Sequence, residues 1–303
     1  MSSELPTVAV LLAAYNGMSW IEEQLASVLA QTRVHVNVYI SVDPSSDGTE
    51  DWCTRYADAH PNVYLLPPLG PFGGAARNFF RLVRDVDLEC CDYVSFCDQD
   101  DIWYSDKLER AVAKLRSDRV DGYSSNVVAF WPDGRRMLVD KAQPQVKWDY
   151  LFEAAGPGCT YVLSATLARA FKRFLIVEWE RVQDISLHDW FCYAFARSQG
   201  FRWIIDSAPG MDYRQHASNQ VGVNAGVGSA RARWRRIVNG WWFGQIQLTS
   251  SLLNIPSFTF LQVPVLTRFS ILRLALMSPV LRRRLRDRVA LTAICLIKAV
   301  IGA

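Results

Sequence analysis

The sequence predicts an open, doubly wound, mostly parallel α/β sheet followed by a basic helical extension. Apolar runs of strand length alternate with helix-length amphipathic segments four times within residues 1–116. Thr7–Ala14 (TVAVLLAA) is apolar throughout, as a strand covered on both faces must be. Beyond Ser229 the pattern changes to interleaved basic and apolar residues, with twelve Lys/Arg against the single acid Asp287.

The elements follow in order. Thr7–Ala14 is the first strand, closed by Tyr15-Asn16-Gly17. Ser19 is expected to open a helix, with Glu22 completing a capping box and Ile21, Leu25, Val28 and Leu29 on one face. Val34–Val42 alternates apolar residues as a second strand and stops at the turn Asp43–Gly48, after which Thr49 is expected to cap a helix. Asn62–Leu66 reads as a third strand and Ala75–Val86 as a third helix. Tyr93–Cys97 then gives a fourth strand and Ser105–Arg116 a fourth helix, with Leu108, Val112 and Leu115 facing the core. Farther on, Gly122–Val139 reads as a hairpin around Pro132-Asp133-Gly134. Gly158–Leu163 is expected to be a strand, Ala165–Phe174 a helix, Leu187–Gln199 an aromatic-rich helix and Phe201–Asp206 a strand. Pro256, Pro264 and Pro279 are expected to divide the helices of the extension.

With half of its 303 residues hydrophobic and 21% charged, the chain has the composition of a folded protein. Its formal charge of +3 conceals an asymmetry: the first 228 residues carry −8 and the rest +11. Seven irregularly spaced cysteines without a CxxC pair suggest neither a disulfide framework nor a zinc knot, and read as buried thiols in a reducing cytosol. No secretory leader is evident, and no uncharged run approaches the ~20 residues that span a bilayer.

Open α/β sheets bind ligands beyond the carboxyl ends of their strands, and the unusual residues cluster there. In Phe96–Trp103 (FCDQDDIW) three carboxylates fall within four residues after a buried strand. They repel one another unless a hard divalent cation such as Mg²⁺ or Mn²⁺ neutralises them. A strand end aims Asp98 and Asp100 into one crevice, while Asp101 is expected to brace the turn or the next helix. Asp43 can accept from a pyrimidine ring N–H, or simply form the turn. In Gly73–Asn78, small residues open a helix at which Arg77 could meet a base or phosphate. Neither a GxGxxG nor a GxxxxGK[ST] pattern occurs. Asp189, between His188 and Trp190 at the start of a hydrophobic helix, is either a general base raised by desolvation or a plain N-cap. His216, in Tyr213-Arg214-Gln215-His216, is a possible ligand for Mn²⁺ or a similar ion.

In this order the segments AAYNG, VDPSSDGT, Arg77-Asn78, CDQDDIW, GPGCTYVLS, HDW and YRQHASN resemble glycosyltransferase family 2, the inverting enzymes with the GT-A fold, from Val8 to about Gly222. CDQDDIW with HDW and YRQH is most similar to the bacterial rhamnosyltransferase branch, which uses dTDP-β-L-rhamnose to build O-antigen and lipopolysaccharide core. The resemblance implies that Ala14, Tyr15, Asp43, Arg77 and Asp98 hold the nucleotide. It places the metal on Asp100 and His216 with Asp98, makes Asp189 the catalytic base, and puts Gly158, Cys159, His188 and Trp190 at the acceptor. Two departures stand out. Val42-Asp43-Pro44 replaces the usual paired acid, and His188-Asp189 stands where many relatives have Glu-Asp.

The expected organisation is a nucleotide-sugar-binding half over residues 1–116, an acceptor-binding half over 117–228 and the basic extension over 229–303. Arg231, Arg233, Arg235 and Arg236 around Trp234, then Trp241, Trp242 and Phe243, and then the arginines of 282–288 suit a helix lying on an anionic membrane. The chain is thus expected to be cytoplasmic and peripheral on the inner membrane, acting on a glycan or lipid-linked glycan acceptor and binding no nucleic acid. The rival readings are a UDP-sugar hexosyl- or N-acetylhexosaminyltransferase, a sugar-1-phosphate nucleotidyltransferase, and a non-catalytic binding scaffold.

Overall fold

The computed structural model describes residues 4–216, 239–262 and 266–301. Arg231, Arg233, Trp234, Arg235, Arg236 and Pro264 lie outside them, as does the end of the YRQHASN segment.

In chain order the elements are β1 (Thr7–Ala14), α1 (Ile21–Leu29), β2 (His35–Val42), α2 (Thr49–Ala59), β3 (Val63–Leu65), α3 (Ala75–Asp85), β4 (Tyr93–Cys97) and β5 (Ile102–Trp103). Next come α4 (Lys107–Ser117), β6 (Gly122–Ser125), β7 (Val127–Phe130), β8 (Arg136–Val139), β9 (Val162–Ser164), α5 (Ala165–Val177), α6 (Trp179–Val182) and α7 (His188–Ser198). The described part closes with β10 (Trp203–Asp206), β11 (Met211–Arg214), α8 (Trp241–Leu252), α9 (Arg268–Leu281) and α10 (Leu285–Ile301).

Seven strands form the main sheet in the order β10-β6-β9-β4-β1-β2-β3, parallel except for β9, which runs against β4 and β6. The alternation of β1 divides the core in two. Val8, Val10, Leu12 and Ala14 pack with buried residues of α1, α2 and α4. Ala9, Leu11 and Ala13 pack with α3, α5 and α7 on the other face. Phe243 and Ile246 of α8, Ile271 and Leu274 of α9, and Leu291 and Cys295 of α10 join that second core. The C-terminal helices therefore bury an apolar side against the sheet domain, which is what holds an amphipathic helix in place.

Several local expectations are corrected. α1 starts at Ile21 without a side-chain cap. Gly48, in the left-handed region at φ 89°, is the N-cap of α2. Thr49 instead turns its hydroxyl to Asp47 and accepts from the Gly17 N–H at 2.8 Å, tying the first two strand ends together. The segment 122–139 is not one hairpin. β6 belongs to the main sheet, whereas β7 and β8 pair in a second sheet of order β5-β11-β7-β8. Gly158–Thr160 forms a 3₁₀ turn before β9. Pro279 lies inside α9 and does not end it. All seven cysteines are free thiols. Among the described residues no helix is long and apolar enough to cross a membrane.

Candidate active site

The carboxyl ends of β1, β2 and β4 open onto a cleft of about 1770 Å³. Ala14, Tyr15, Asp43, Asp98, Asp100 and His216 line it toward the β2 side; Gly158, His188, Asp189 and Trp190 line it toward α7. Ten of the twelve residues singled out in the sequence thus line one cleft. Cys159 lies buried directly behind it.

Asp98 and Asp100 stand just past β4, where the strand ends and its side chains leave the core. Burial, then Asp100 and then Asp189 push the Asp98 carboxyl up to about 7. Asp100 reaches His216, whose Nε2 lies 2.7 Å from Oδ2, and the imidazole stacks on Trp20 at 4.0 Å between centroids. β11 delivers that histidine, because Arg214 is bonded three ways. Its N–H donates to Asp101 Oδ1 at 3.0 Å, its Nε donates to the Asp100 carbonyl at 2.8 Å, and its guanidinium pairs with Glu23. Asp101 braces β11 through this bond rather than the turn or helix expected from the sequence.

Beneath this floor lies a buried group of Cys97, Asp101, Lys107 and Cys159. Lys107 Nζ sits 3.1 Å from the Trp103 ring centroid, a cation–π contact, and burial draws the ammonium down to about 7. Asp98, Asp101 and Cys159 place their ligand atoms within 4.8 Å of one another. Burial pushes the Cys159 thiol well up, with Asp101 and Asp98 adding to the shift, so it stays protonated and is a poor ligand for a hard cation. Asp98, Asp100 and His216 face the cleft, and their carboxylate and imidazole donors would suit a hard divalent cation.

Gln99, between the two cleft aspartates, carries a role that sequence reasoning missed. Its amide exchanges two 2.7 Å bonds with the Tyr15 N–H and C=O, pinning the loop after β1. A Cβ on Gly17 would come within 2.4 Å of the Gln99 Oε1, so the small residue lets the loops meet.

Two expected nucleotide contacts look different in three dimensions. Asp43 is buried at the end of β2, but its carboxylate accepts from the Phe72 N–H at 2.8 Å and the Gly73 N–H at 3.2 Å. It holds the 70–74 loop and lines the cleft beside it. Arg77 is not brought to the cleft: it is exposed and donates from Nε to the Gln183 carbonyl at 2.8 Å. One helical position on, Asn78 is buried, lines the cleft and leaves Oδ1 unpartnered.

Opposite the aspartates, Asp189 opens α7. Burial raises its carboxyl to about 6, against the pull of the Trp190 N–H at 2.7 Å and the charge of Lys141. Such a carboxylate is ionised at neutral pH yet basic enough to take a proton. His188 stacks on Phe79 at 3.9 Å and is drawn down to about 3 by burial, so it stays neutral. Gly158 packs directly beneath both: a Cβ there would lie 2.5 Å from His188 Nε2 and 3.0 Å from Asp189 Cβ.

Residues 9–166 match the profile of Glycosyl transferase family 2. The chain is 46% identical over 248 residues to the dTDP-rhamnosyl transferase RfbG of Shigella flexneri, a match covering 82% of this chain and 86% of RfbG. It is 26% identical over 169 residues to WfgD of Escherichia coli, a UDP-Glc:alpha-D-GlcNAc-diphosphoundecaprenol beta-1,3-glucosyltransferase, covering 54% of this chain and 62% of WfgD. Among solved structures, residues 1–349 of S. aureus TarS in complex with UDP superpose with a TM-score of 0.56 at 14% identity, covering 97% of this chain and 88% of that one.

Proposed function

The chain belongs to glycosyl transferase family 2, and from that premise we propose that it transfers L-rhamnose from dTDP-β-L-rhamnose, with inversion, to a hydroxyl of a lipopolysaccharide-core, O-antigen or other cell-surface glycan. It is a nucleotide-sugar-dependent glycosyltransferase with the GT-A fold. The observation that carries the finer reading is that Asp189, raised to about 6, lines the same cleft as Asp98, Asp100 and His216. The choice of sugar is supported by the 46% identity to a dTDP-rhamnosyl transferase over most of both chains.

A divalent cation fits this wall. Burial, then Asp100 and then Asp189 raise Asp98 to about 7, so an added positive charge would be favourable there, and His216 already touches Asp100. Asp98, Asp100 and His216 would hold Mg²⁺ or Mn²⁺, which when bound would neutralise charge on the departing diphosphate. Ala14, Tyr15 and Asp43 wall the base end, and the Gln99–Tyr15 pair fixes the loop there. Across the cleft, Asp189 takes the proton of the acceptor hydroxyl as its oxygen attacks the anomeric carbon from the face opposite the leaving diphosphate. Neutral His188 and Trp190 flank that hydroxyl, and Gly158 lets His188 and Asp189 pack close against the 156–158 loop. One such displacement turns the β-linked donor into an α-rhamnoside.

Peripheral membrane docking belongs to the same reading, on altered grounds. The arginines after α9 are engaged inside the protein: Arg283 with Asp149, Arg282 with Glu153, Arg284 with Asp140, and Arg288 with the carbonyls of Arg282 and Arg283. What α9 and α10 expose is apolar, namely Phe269, Leu276, Leu285, Val289 and Val300 at 75%, 84%, 73%, 62% and 80%, with Arg268, Arg273 and Arg286 beside them. That combination suits an interfacial helix pair.

The test is a thermal-shift panel with dTDP, UDP and GDP, each with and without Mg²⁺ or Mn²⁺, followed by product analysis with dTDP-β-L-rhamnose. Stabilisation by dTDP above the others supports the rhamnosyl donor. A larger response to UDP would favour a UDP-sugar, and no response to any diphosphate would remove the proposal. For docking, flotation with anionic liposomes should be lost in Leu276→Glu/Val289→Glu; equal flotation would remove that part.

A further inference from the structure

Beyond Asp189 the cleft continues past Lys141, Arg282 and Arg284 to Trp241 and Trp242. We propose that Lys141, Arg282 and Arg284 form an anion subsite that holds a phosphate group of the acceptor, so that the acceptor is a phosphorylated glycan or a lipid-phosphate-linked sugar. The assignment rests on the transferase reading, because that reading makes this the acceptor side of Asp189.

Charge decides the argument. Lys141, Arg197, Arg282, Arg283 and Arg284 gather around three carboxylates, Asp140, Asp149 and Glu153. Asp287 pairs with Arg282 at 3.6 Å as well as with Arg286 at 3.5 Å, so the wider group is six cations around four carboxylates. Asp149 serves both Arg283 at 3.2 Å and Arg197 at 3.3 Å, Glu153 serves Arg282 and Arg283, and Asp140 serves Arg284. Lys141 has no ion-pair or hydrogen-bond partner for its ammonium among the described residues, and Arg282 Nε is buried without an acceptor. Burial and the neighbouring guanidiniums pull Lys141 below its ordinary range. Cations held together at the wall of a cleft, with donors left open, lack an anion.

The lysine is also held in place. Asn126 Oδ1 accepts from the Lys141 N–H at 2.6 Å and the Ala142 N–H at 3.2 Å, while Asn126 Nδ2 donates to Asp140 at 3.1 Å. A Cβ on Gly156 would lie 3.9 Å from Lys141 Cβ, which sets the lysine beside the 156–158 loop that packs under Asp189. Its charge acts on Asp189 directly. Phosphate here would thus lie close to the accepting hydroxyl. The 17-residue helix α10 begins at the same wall, where its N-terminal end adds positive potential. Trp241 and Trp242 offer ring faces for the sugar that carries the phosphate.

The test uses calorimetry on the full chain saturated with dTDP and Mg²⁺, so that the donor side is filled. N-acetylglucosamine 1-phosphate, farnesyl phosphate and neutral N-acetylglucosamine serve as probes. Both phosphates should bind and the neutral sugar should not. Lys141→Met and Arg284→Gln should each weaken phosphate binding by about tenfold to a hundredfold, as loss of one charged hydrogen bond would. Tighter binding of farnesyl phosphate assigns the anion to a lipid carrier, and tighter binding of the sugar phosphate assigns it to the glycan. No binding of either phosphate, or equal affinity in both variants, overturns the subsite. Binding of dTDP is the independent readout. If the variants retain it, they are folded and the transferase reading stands whatever the phosphates do; if the wild type lacks it, that reading fails first.

Discussion

Arg283 Nη1 lies 3.2 Å from Asp149 Oδ2 across 134 residues of sequence, with both side chains withdrawn from solvent. Tyr193 donates its hydroxyl to the same oxygen at 3.0 Å, and Arg283 Nη2 also reaches the Ala154 carbonyl at 2.6 Å. The pair joins the C-terminal segment to α7 and to residues 149–154.

Removing the arginine would leave the buried Asp149 carboxylate with one guanidinium, Arg197 at 3.3 Å, and take a partner from Glu153 as well. Arg283→Met is expected to destabilise the protein by about 3–5 kcal/mol, the usual cost of breaking a buried pair on one side. Urea denaturation measures it. A change below about 1 kcal/mol, the range of an exposed pair, would contradict the anchoring role.

Gly158 owes its place to its neighbours rather than to its backbone. A methyl group there meets His188 Nε2 at 2.5 Å and Asp189 Cβ at 3.0 Å, so Gly158→Ala must displace the start of α7. Small misplacements of a catalytic group are costly, and turnover is expected to fall by about 10²-fold. Nucleotide affinity, which resides across the cleft, should change little. Steady-state kinetics beside a nucleotide titration separates the two effects, and unchanged turnover would show that the loop can shift freely.

How much was legible follows from the kind of signal involved. β1 and β4 are continuous apolar runs, and such runs fix buried parallel strands almost to the residue. β5 and β11 were missed because they are two and four residues long and owe their existence to pairing with each other. Asp98 and Asp100 were readable as neighbouring carboxylates just past a buried strand, where they repel one another, whereas Asp189 reads equally as an N-cap and His216 gives little local signal, so those two were reached through the family resemblance. Arg77 was misplaced because helix numbering does not say which way a long side chain turns, whereas Asn78 one position on faces the cleft. The arginines after α9 read as a surface patch, since sequence cannot show that Asp149, Glu153 and Asp140 come back to meet them. Gln99 and Lys141 gave no local signal: their roles arise from contacts with Tyr15 and with a distant cluster of guanidiniums.

His216 supplies a test of the cation. It approaches Asp100 at 2.7 Å while stacked on Trp20, so His216→Ala should remove a donor without moving the aspartates. The affinity of the metal-dependent dTDP complex is expected to drop by roughly tenfold or more. Metal-free dTDP binding should be spared. Thermal shifts with and without Mn²⁺ report both quantities, and an equal loss in the two conditions would mean that the histidine acts on the nucleotide itself.

Asp189 gives the sharpest expectation. Asp189→Asn keeps shape and hydrogen-bonding capacity but cannot accept the acceptor's proton, so turnover should fall by about 10²–10⁴-fold while dTDP binding persists. The wild-type pH profile carries the same information. The base works only when ionised, and its carboxyl is raised to about 6 by burial, so kcat/KM should be level above about pH 7 and fall through pH 6 as the group takes up a proton. Lys141 lowers the Asp189 carboxyl through its charge. In Lys141→Met the acid limb should therefore move to higher pH, because the ionised carboxylate loses a stabilising neighbour. A limb that stayed in place in that variant, or an acid limb surviving in Asp189→Asn, would assign the titration to another group.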